Sequence, residues 1–157
     1  MQRRIAVIRI RGRVGIKKEA KDTMDMLRLY KRNTCVVIPN SPAYVGMLIK
    51  VKDFTTWGEI DEPTFKELME KRAKIMGKKP LTEQYLKEKL NIALSDFIKD
   101  FFSFKKELKD IPGLKPFFKL KPPEKGFERK GVKVPFSLGG VLGYRKENIN
   151  ELLKRML

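Results

Sequence analysis

The sequence contains no histidine and only one cysteine among its 157 residues. Without an imidazole, the chain has no histidine to serve as a catalytic base or a metal ligand. A single thiol excludes a disulfide within the chain and any metal site built from several thiolates. No apolar run approaches the roughly 20 residues of a membrane span, and the N-terminus lacks the apolar core of a signal peptide. We therefore expect a soluble, intracellular protein that is not an enzyme.

Positive charge is in large excess, with 36 lysines and arginines against 19 acidic residues and a net charge of +17. A net charge of this size opposes compaction through self-repulsion, so we expect an anionic partner. Residues 1–60 carry 13 basic and 5 acidic side chains, and residues 112–157 carry 11 and 4. Residues 61–111 carry 12 and 10, which is typical of an ordinary solvated surface. The contact surface is therefore predicted at the two ends of the chain.

Three short segments of residues 1–60 have the composition of β-strands. The first, residues 5–11, begins apolar on both faces and ends in alternation, as expected of a strand leaving a sheet. The second, residues 35–38, is a short apolar run that ends at a proline. The third, residues 54–57, is rich in aromatic and β-branched residues. We predict one strand from each segment.

Two helices are predicted between these strands. Apolar residues recur at spacings of three and four over residues 19–32, and Asn33 ends this helical pattern. Ser41 followed by Pro42 favours a second helix start, because serine caps free N–H groups and proline fits the first turn. Residues 1–60 thus predict an α+β fold, a β-α-β-α-β open-faced sandwich with its helices on one side of the sheet.

Residues 61–111 have the pattern of a helical extension. Helix starts are predicted at Asp61 and Thr82, the first of these helices ending at Gly77. A third helix is predicted over residues 94–108, where phenylalanines recur at helical spacing. We interpret this stripe as part of the core rather than as a platform on which bases stack.

Residues 112–157 combine a basic loop, a glycine-rich turn and a helix. Residues 115–135 hold four prolines, two glycines and seven lysines or arginines, which predicts an extended basic loop. Three glycines between residues 139 and 143 predict a turn. Residues 149–156 are apolar at helical spacing, and we expect this final helix to pack back on the core.

The two basic stretches of the chain are the strongest functional signal. Arg9, Arg11 and Arg13 alternate near the end of the first strand and are predicted to lie on one side of it. The stretch from residue 115 to 133 has few acids to neutralise it, whereas a free surface usually interleaves both signs. Neutralising phosphates supplies most of the affinity in basic binders of this kind. RNA is favoured over DNA, because no helix-turn-helix, zinc finger or basic zipper is visible.

The glycine-rich turn allows two interpretations. It is not a Walker loop, because Tyr144 and Arg145 stand where that pattern needs lysine and a hydroxyl residue. It is either a plain tight turn before a helix or a turn that lies against an RNA backbone, with Arg145 and Lys146 adding charge.

The carboxylates and the thiol offer no catalytic site. Asp61 and Glu62 stand where a helix start favours acids, and Cys35 is predicted to be a small buried hydrophobic residue. No pair of nucleophile and base can be assembled from the residues present. We expect no catalytic residue, metal, cofactor, small-molecule substrate or membrane partner.

Several motifs, in this order and spacing, resemble family thirty of the large-subunit ribosomal proteins. Those of the N-terminal part are residues 12–15, 23–29, 35–37, 41–47 and 53–58, and those of the C-terminal part are residues 136–145 and 148–153. The C-terminal motifs are similar to the end of the longer archaeal and eukaryotic members. Bacterial members stop near residue 60, so the additional length indicates an archaeal-type protein.

The resemblance implies a structural constituent of the large subunit that binds its ribosomal RNA near 5S RNA, beside other ribosomal proteins of cytoplasmic ribosomes. It also implies a three-stranded antiparallel sheet of order 3-1-2 with two helices. The alternatives are a free-standing RNA-binding or RNA-chaperone domain and an RNA-modifying or nucleotide-using enzyme. The candidate RNA-binding residues are Arg9, Arg11, Arg13, Lys17, Lys18, Lys21, Arg32, Ser41, Tyr44, Lys119, Lys121, Lys125, Arg129, Lys130, Lys133, Gly139, Gly140, Arg145 and Lys146.

Overall fold

The computed structural model describes residues 3–157. Its strands are β1 (Arg4–Arg9), β2 (Thr34–Pro39), β3 (Thr55–Glu59), β4 (Phe118–Lys119) and β5 (Gly143–Tyr144). Its α-helices are α1 (Lys18–Met26), α2 (Pro42–Lys50), α3 (Glu62–Arg72), α4 (Glu83–Leu90), α5 (Leu94–Phe102) and α6 (Ile149–Met156). Residues 4–59 therefore form the predicted β-α-β-α-β unit, followed by helices and then by two very short strands and a final helix.

The five strands form one sheet in the order β4-β2-β1-β3-β5. The three central strands are antiparallel and confirm the 3-1-2 order, with Ala6 opposite Val37 on one side and Gly58 on the other. The prediction of only three strands was wrong. β4 adds antiparallel to β2, and β5 adds parallel to β3. Each added strand has two residues, which is too short for a period of two to show in a sequence.

The predicted helix starts are confirmed by their caps. The Ser41 hydroxyl accepts a hydrogen bond from the Tyr44 N–H at 3.5 Å, and Pro42 opens α2. The Asp61 carboxylate accepts from the Thr64 N–H at 2.9 Å at the start of α3. The Thr82 hydroxyl caps α4 in the same way. These side chains satisfy N–H groups that have no partner within the helix.

The predicted helix ends lie too far along the chain. Helix α1 stops at Met26 instead of continuing to residue 32, because Arg28 takes a left-handed φ of 61° and the chain reverses there. Helix α3 stops at Arg72 rather than at Gly77, and α5 stops at Phe102 rather than at residue 108. Apolar residues beyond each end still face the core from irregular segments, which imitates a helical pattern in the sequence.

Both faces of the sheet are covered. Ile5 and Val7 pack with Met24 of α1 and Leu48 of α2, which confirms that these two helices lie on one side. Side chains alternate along a strand, so the neighbouring apolar residues of β1 face the opposite side. That side is covered by α3, α4, α5 and α6 in one continuous core. This double burial explains why β1 begins apolar on both faces.

The phenylalanines of α5 belong to this second core, as predicted. Phe97 and Phe101 are fully buried, and the ring of Phe65 stacks on that of Phe101 with centroids 4.6 Å apart. The buried guanidinium of Arg4 lies 3.9 Å from the centroid of the Phe101 ring and donates to the Phe101 carbonyl at 2.8 Å. The aromatic stripe therefore holds the helical extension on the sheet. Within residues 3–157, none of the helices has the length and apolar character needed to span a bilayer.

Candidate nucleic-acid interface

Two basic loops from opposite ends of the chain lie side by side. We call residues 10–18 the first basic loop and residues 115–135 the second basic loop. The second loop is anchored beside residues 30–34, where the Leu120 N–H donates to the Asn33 carbonyl at 2.9 Å. Arg11 and Arg32 line a shallow groove together with Val132 of the second loop. The fold therefore brings together the two charged ends that the sequence separates by about a hundred residues.

We call the predicted cations of these loops, together with Lys21 of α1 and Arg32 before β2, the basic surface. Its members are Arg11, Arg13, Lys17, Lys18, Lys21, Arg32, Lys119, Lys121, Lys125, Arg129, Lys130 and Lys133, of which Arg11 is half-buried and the others are exposed. Among the described residues, only Arg13 of this set lies near a carboxylate, with its Nη2 3.6 Å from Asp25 Oδ1. The remaining cations are free to neutralise phosphates.

Arg9 does not belong to this surface, although its spacing from Arg11 and Arg13 suggested that it does. Its side chain is completely buried. Its Nη1 donates to the Leu29 carbonyl at 2.6 Å, its Nε to Arg11 O at 2.9 Å and its Nη2 to Gly12 O at 3.0 Å. Burial lowers the pKa of Arg9, and the nearby charge of Arg13 lowers it further. Arg9 thus joins the first basic loop to the loop after α1, and its buried guanidinium is not available to a phosphate.

The two arginines of the first basic loop, Arg11 and Arg13, are accessible to solvent and held in a fixed position. Arg13 Nε donates to the Tyr30 carbonyl at 2.6 Å, which is a second link to the loop after α1. Arg11 lies over the ring of Phe54 and donates to the Asp53 carbonyl at 3.3 Å. Both side chains therefore present charge from a positioned guanidinium, which lowers the entropy lost on binding.

Arg145 is also buried, which corrects its prediction as an RNA-binding residue. It is 2% exposed, and its Nε donates to Thr56 Oγ1 in β3 at 2.9 Å. Its Nη1 pairs with Glu128 of the second basic loop at 2.8 Å, and its Nη2 donates to the Val141 carbonyl at 2.8 Å. Arg145 therefore fastens the second loop to the sheet. Lys146, next to it, is exposed.

The acid that makes this link was not singled out by the sequence. Glu128 is one of two acidic residues in the second basic loop, and it also lies 3.8 Å from Arg155 of α6. An acid inside a strongly basic loop could have been recognised in the sequence as the partner of an internal ion pair. Glu128 orders the loop on which the predicted phosphate contacts depend.

The glycine-rich turn has a structural explanation. A Cβ on Gly140 would lie 2.0 Å from the Val134 carbonyl oxygen, and the residue is buried. Gly139 is exposed with a φ of 89°, and Gly143 has a φ of 84°, a conformation that other residues rarely adopt. For Gly140 the geometry supports the tight-turn interpretation and leaves no space for RNA. Gly139 keeps an exposed position.

Ser41 and Tyr44 lie together at the start of α2, and Tyr44 lines a groove with Pro116, near the beginning of the second basic loop. The Ser41 hydroxyl is used as the helix cap, and the Tyr44 ring is half-buried against the core below α1 and α2. Both residues keep part of their surface accessible. They therefore remain candidate contacts rather than members of the basic surface.

The cysteine behaves as the sequence predicted. Cys35 is fully buried in β2, and burial raises the pKa of its thiol well above the ordinary range. A buried, protonated thiol is a poor nucleophile and a poor metal ligand. In the described part of the chain there is no group of three or more Cys, Asp or Glu side chains placed to hold a metal ion.

Comparisons with known proteins match nearly the whole chain. Residues 5–54 match the family described as Ribosomal protein L30p/L7e. The chain is 47% identical to the large ribosomal subunit protein uL30 of Methanopyrus kandleri over 94% of its own length and all of that protein. It is 48% identical to uL30 of Methanosphaera stadtmanae, covering 97% of this chain and 99% of that protein. The uL30 of Nanoarchaeum equitans is 44% identical over 97% of each chain. These archaeal relatives confirm the resemblance found in the sequence.

Proposed function

Because this chain belongs to the uL30 family of large-subunit ribosomal proteins, we propose that it binds ribosomal RNA through its basic surface. As a member of this family it is a ribosomal protein and not an enzyme. In the proposal, its binding supports assembly of the large subunit and translation in cytoplasmic ribosomes. Its position there is near 5S RNA and beside other ribosomal proteins.

The observation that carries the proposal is the joining of the two basic loops. The sequence places seven cations in each of two distant stretches, residues 1–18 and 115–135. Pairing of β4 with β2, and the groove that Arg11 shares with Val132, bring the loops to neighbouring positions. Two neighbouring basic loops attract a polyanion more strongly than two distant ones, because phosphates along one backbone engage both loops together.

Two buried arginines are proposed to position this surface rather than to bind RNA. Arg9 holds backbone carbonyls of the first basic loop, and Arg145 holds Glu128 of the second. Each loop is thereby ordered before binding, so that less conformational entropy is lost when phosphates are contacted. The exposed Lys146 and Gly139, with Ser41 and Tyr44, are proposed as peripheral contacts.

The three segments are proposed to have separate roles. Residues 1–60 are the RNA-binding core, and residues 61–111 are a helical extension that covers the second face of the sheet. Residues 112–157 supply the second basic loop and return to the sheet through β4, β5 and α6. The first and last segments share the proposed interface, while the middle one carries nearly balanced charge.

The proposal is tested by sedimentation of the full chain with large subunits through sucrose at several salt concentrations. A ribosomal component stays with the subunits at moderate salt, whereas a free-standing chaperone is released from them. We expect a variant with Lys119, Lys121 and Lys125 changed to Ala to be released at lower salt than the wild type. A control with Lys87, Lys89 and Lys99 changed to Ala should be retained like the wild type. Equal release of both variants would contradict the assigned surface.

A further inference from the structure

The hydrogen bonds of β2 alternate between its two neighbouring strands. The Asn40 N–H donates to the Arg3 carbonyl at 2.9 Å, so Ile38 and Val36 bond to β1 in the same register, whereas the Thr34 N–H donates to the Lys31 carbonyl at 3.3 Å. The Leu120 N–H donates to the Asn33 carbonyl at 2.9 Å, so the odd-numbered residues face β4. The backbone groups of every second residue therefore point to the outer side of β2.

This outer side becomes open at Val37. Cys35 pairs with Phe118 of β4, and in the same register Val37 would lie opposite Pro116. Proline has no N–H, so it cannot donate to the Val37 carbonyl. Among residues 3–157, no backbone group outside the helices and strands bonds to the Val37 N–H or carbonyl. One donor and one acceptor thus stand side by side on the edge of the sheet.

The open edge is limited to this one residue. Pro39, the next odd-numbered residue, has no N–H, and its carbonyl already accepts from the Ser41 N–H at 3.0 Å. An added β-strand bonds to every second residue of the edge it joins, so it would find only Val37. A single adjacent donor and acceptor instead match the edge of one heterocycle.

The open edge faces a groove of about 400 Å³. Its apolar lining is Met26, Leu27, Tyr44, Leu108 and Pro116. Its cations are Arg28 and Lys109, both exposed. The one acid, Glu107, is paired with the buried Arg4 at 3.0 Å, so the free charge of the groove is positive. The groove thus combines apolar side chains, the polar backbone edge at Val37 and a cationic rim, which suits a flat ring with apolar faces and polar edge atoms.

We propose that this groove, which we call the edge groove, binds one unpaired base of ribosomal RNA. The Val37 N–H donates to a ring nitrogen, and the Val37 carbonyl accepts from the neighbouring amino group, as the N1 and N6 edge of adenine allows. Tyr44 supplies an aromatic surface, and the adjoining phosphates lie near Arg28 and Lys109. The proposal rests on the proposed function, because it needs an RNA partner.

The charge and the single open residue favour RNA over a protein segment. An extended peptide gains affinity from a ladder of main-chain bonds, and this edge offers only one residue for it. A nucleotide needs only one such pair and brings phosphates that match the positive rim. Binding of a peptide is therefore an outcome that the experiment must distinguish.

The test uses two substitutions at the same position. Val37→Pro removes the outward N–H, and proline is accepted at a strand edge when its N–H would not have been bonded. Val37→Ala keeps this N–H while removing a similar amount of buried side chain. The first measurement is an amide NMR titration of the full chain with adenosine, which has no phosphate.

We expect adenosine to shift the Val37 amide of the wild type and the resonances of Leu108 and Tyr44, in a saturable manner. Relative to Val37→Ala, Val37→Pro should bind adenosine about fivefold more weakly, the effect of one lost hydrogen bond. The wild-type Val37 shift supplies this readout even where the proline variant does not fold. Shifts confined to the basic loops, or shifts of Val37 and Leu108 by a Val-rich tetrapeptide but not by adenosine, would overturn the proposal.

The second measurement uses assembled large subunits. Lys109→Cys gives the only accessible thiol, since Cys35 is buried, and a tethered cleavage reagent then maps the nucleotides at the groove. In subunits that contain Val37→Ala, one adenine or cytosine among the mapped nucleotides should resist methylation by dimethyl sulfate. In subunits that contain Val37→Pro, the same base should be methylated several-fold faster. If both variants are incorporated and no mapped base differs between them, the edge groove has no such role, while the proposed RNA binding by the basic surface stands.

Discussion

The basic surface and the helical extension carry similar numbers of cations but differ in what surrounds them. In the extension, Lys66 lies 3.9 Å from Glu70 and Lys71 lies 3.2 Å from Glu67, both one helical turn apart. On the basic surface only Arg13 has such a partner among the described residues. Residues 61–111 carry ten acids for their 12 cations. The comparison teaches that the local balance of acids and bases, rather than the number of lysines and arginines, distinguishes the proposed interface from an ordinary solvated surface.

The largest expected effect comes from removing positive charge in a region with few acids. One variant replaces Arg11, Lys17, Lys18 and Lys21 with Ala, and its control replaces Lys66, Lys71, Lys74 and Lys78. If all four residues of the first set contact phosphates, the slope of log affinity for ribosomal RNA against log salt should fall by about 3, since each contact contributes about 0.7 to 0.9. The control should change the slope by less than about 1. If filter binding gives equal changes of slope for the two variants, the basic surface has been assigned wrongly.

The next effect concerns the buried link below the basic surface. Arg9→Met should lower the free energy of unfolding by about 3 kcal/mol, because four carbonyls lose their buried donor. Arg11→Met, two residues away and partly exposed, should lower it by less than about 1 kcal/mol. Urea denaturation followed by circular dichroism measures both. A stability for Arg9→Met equal to that of Arg11→Met would show that Arg9 is an ordinary surface arginine.

A smaller effect separates two neighbouring glycines of the turn. Gly140→Ala should destabilise the chain by about 2 kcal/mol, because its Cβ meets the Val134 carbonyl. Gly139→Ala should cost about 1 kcal/mol, since its φ is positive and the added Cβ would lie 3.3 Å from Cδ of Lys130, whose flexible side chain can move. For Gly140→Ala, the melting temperature and the fraction of the chain incorporated into subunits should decrease together. An incorporation defect of Gly139→Ala larger than its loss of stability would identify a contact with RNA there.

The smallest effect is expected in the helical extension. Lys71→Ala removes an exposed ion pair with Glu67 and should change the free energy of unfolding by no more than about 0.5 kcal/mol. RNA binding should be unchanged within error. A clear loss of RNA affinity with normal stability would extend the interface into the region that the charge comparison excludes.

Local patterns in the sequence determined most of the secondary structure. The caps Ser41, Asp61 and Thr82 mark helix starts by their own chemistry, and the short, β-branched apolar run of β2 favours a buried strand. The helix ends were harder to predict from the sequence, because the apolar residues after Met26 and Phe102 continue to face the core from irregular backbone. Two-residue strands leave no periodicity, so β4 and β5 were not predicted.

Composition and charge distribution predicted an anionic partner, and the order of the motifs determined the family. The tertiary structure decided which cations are free. Arg9 and Arg145 have the same side chain as Arg11 and Arg13, but the first two are enclosed by groups from elsewhere in the sequence. Arg9 donates to the Leu29 carbonyl, and Arg145 donates to the Thr56 hydroxyl and the Glu128 carboxylate. Burial depends on the whole fold, since it arises where separate segments meet, and no local pattern records it. The joining of the two basic loops and the open edge at Val37 depend on strand register in the same way.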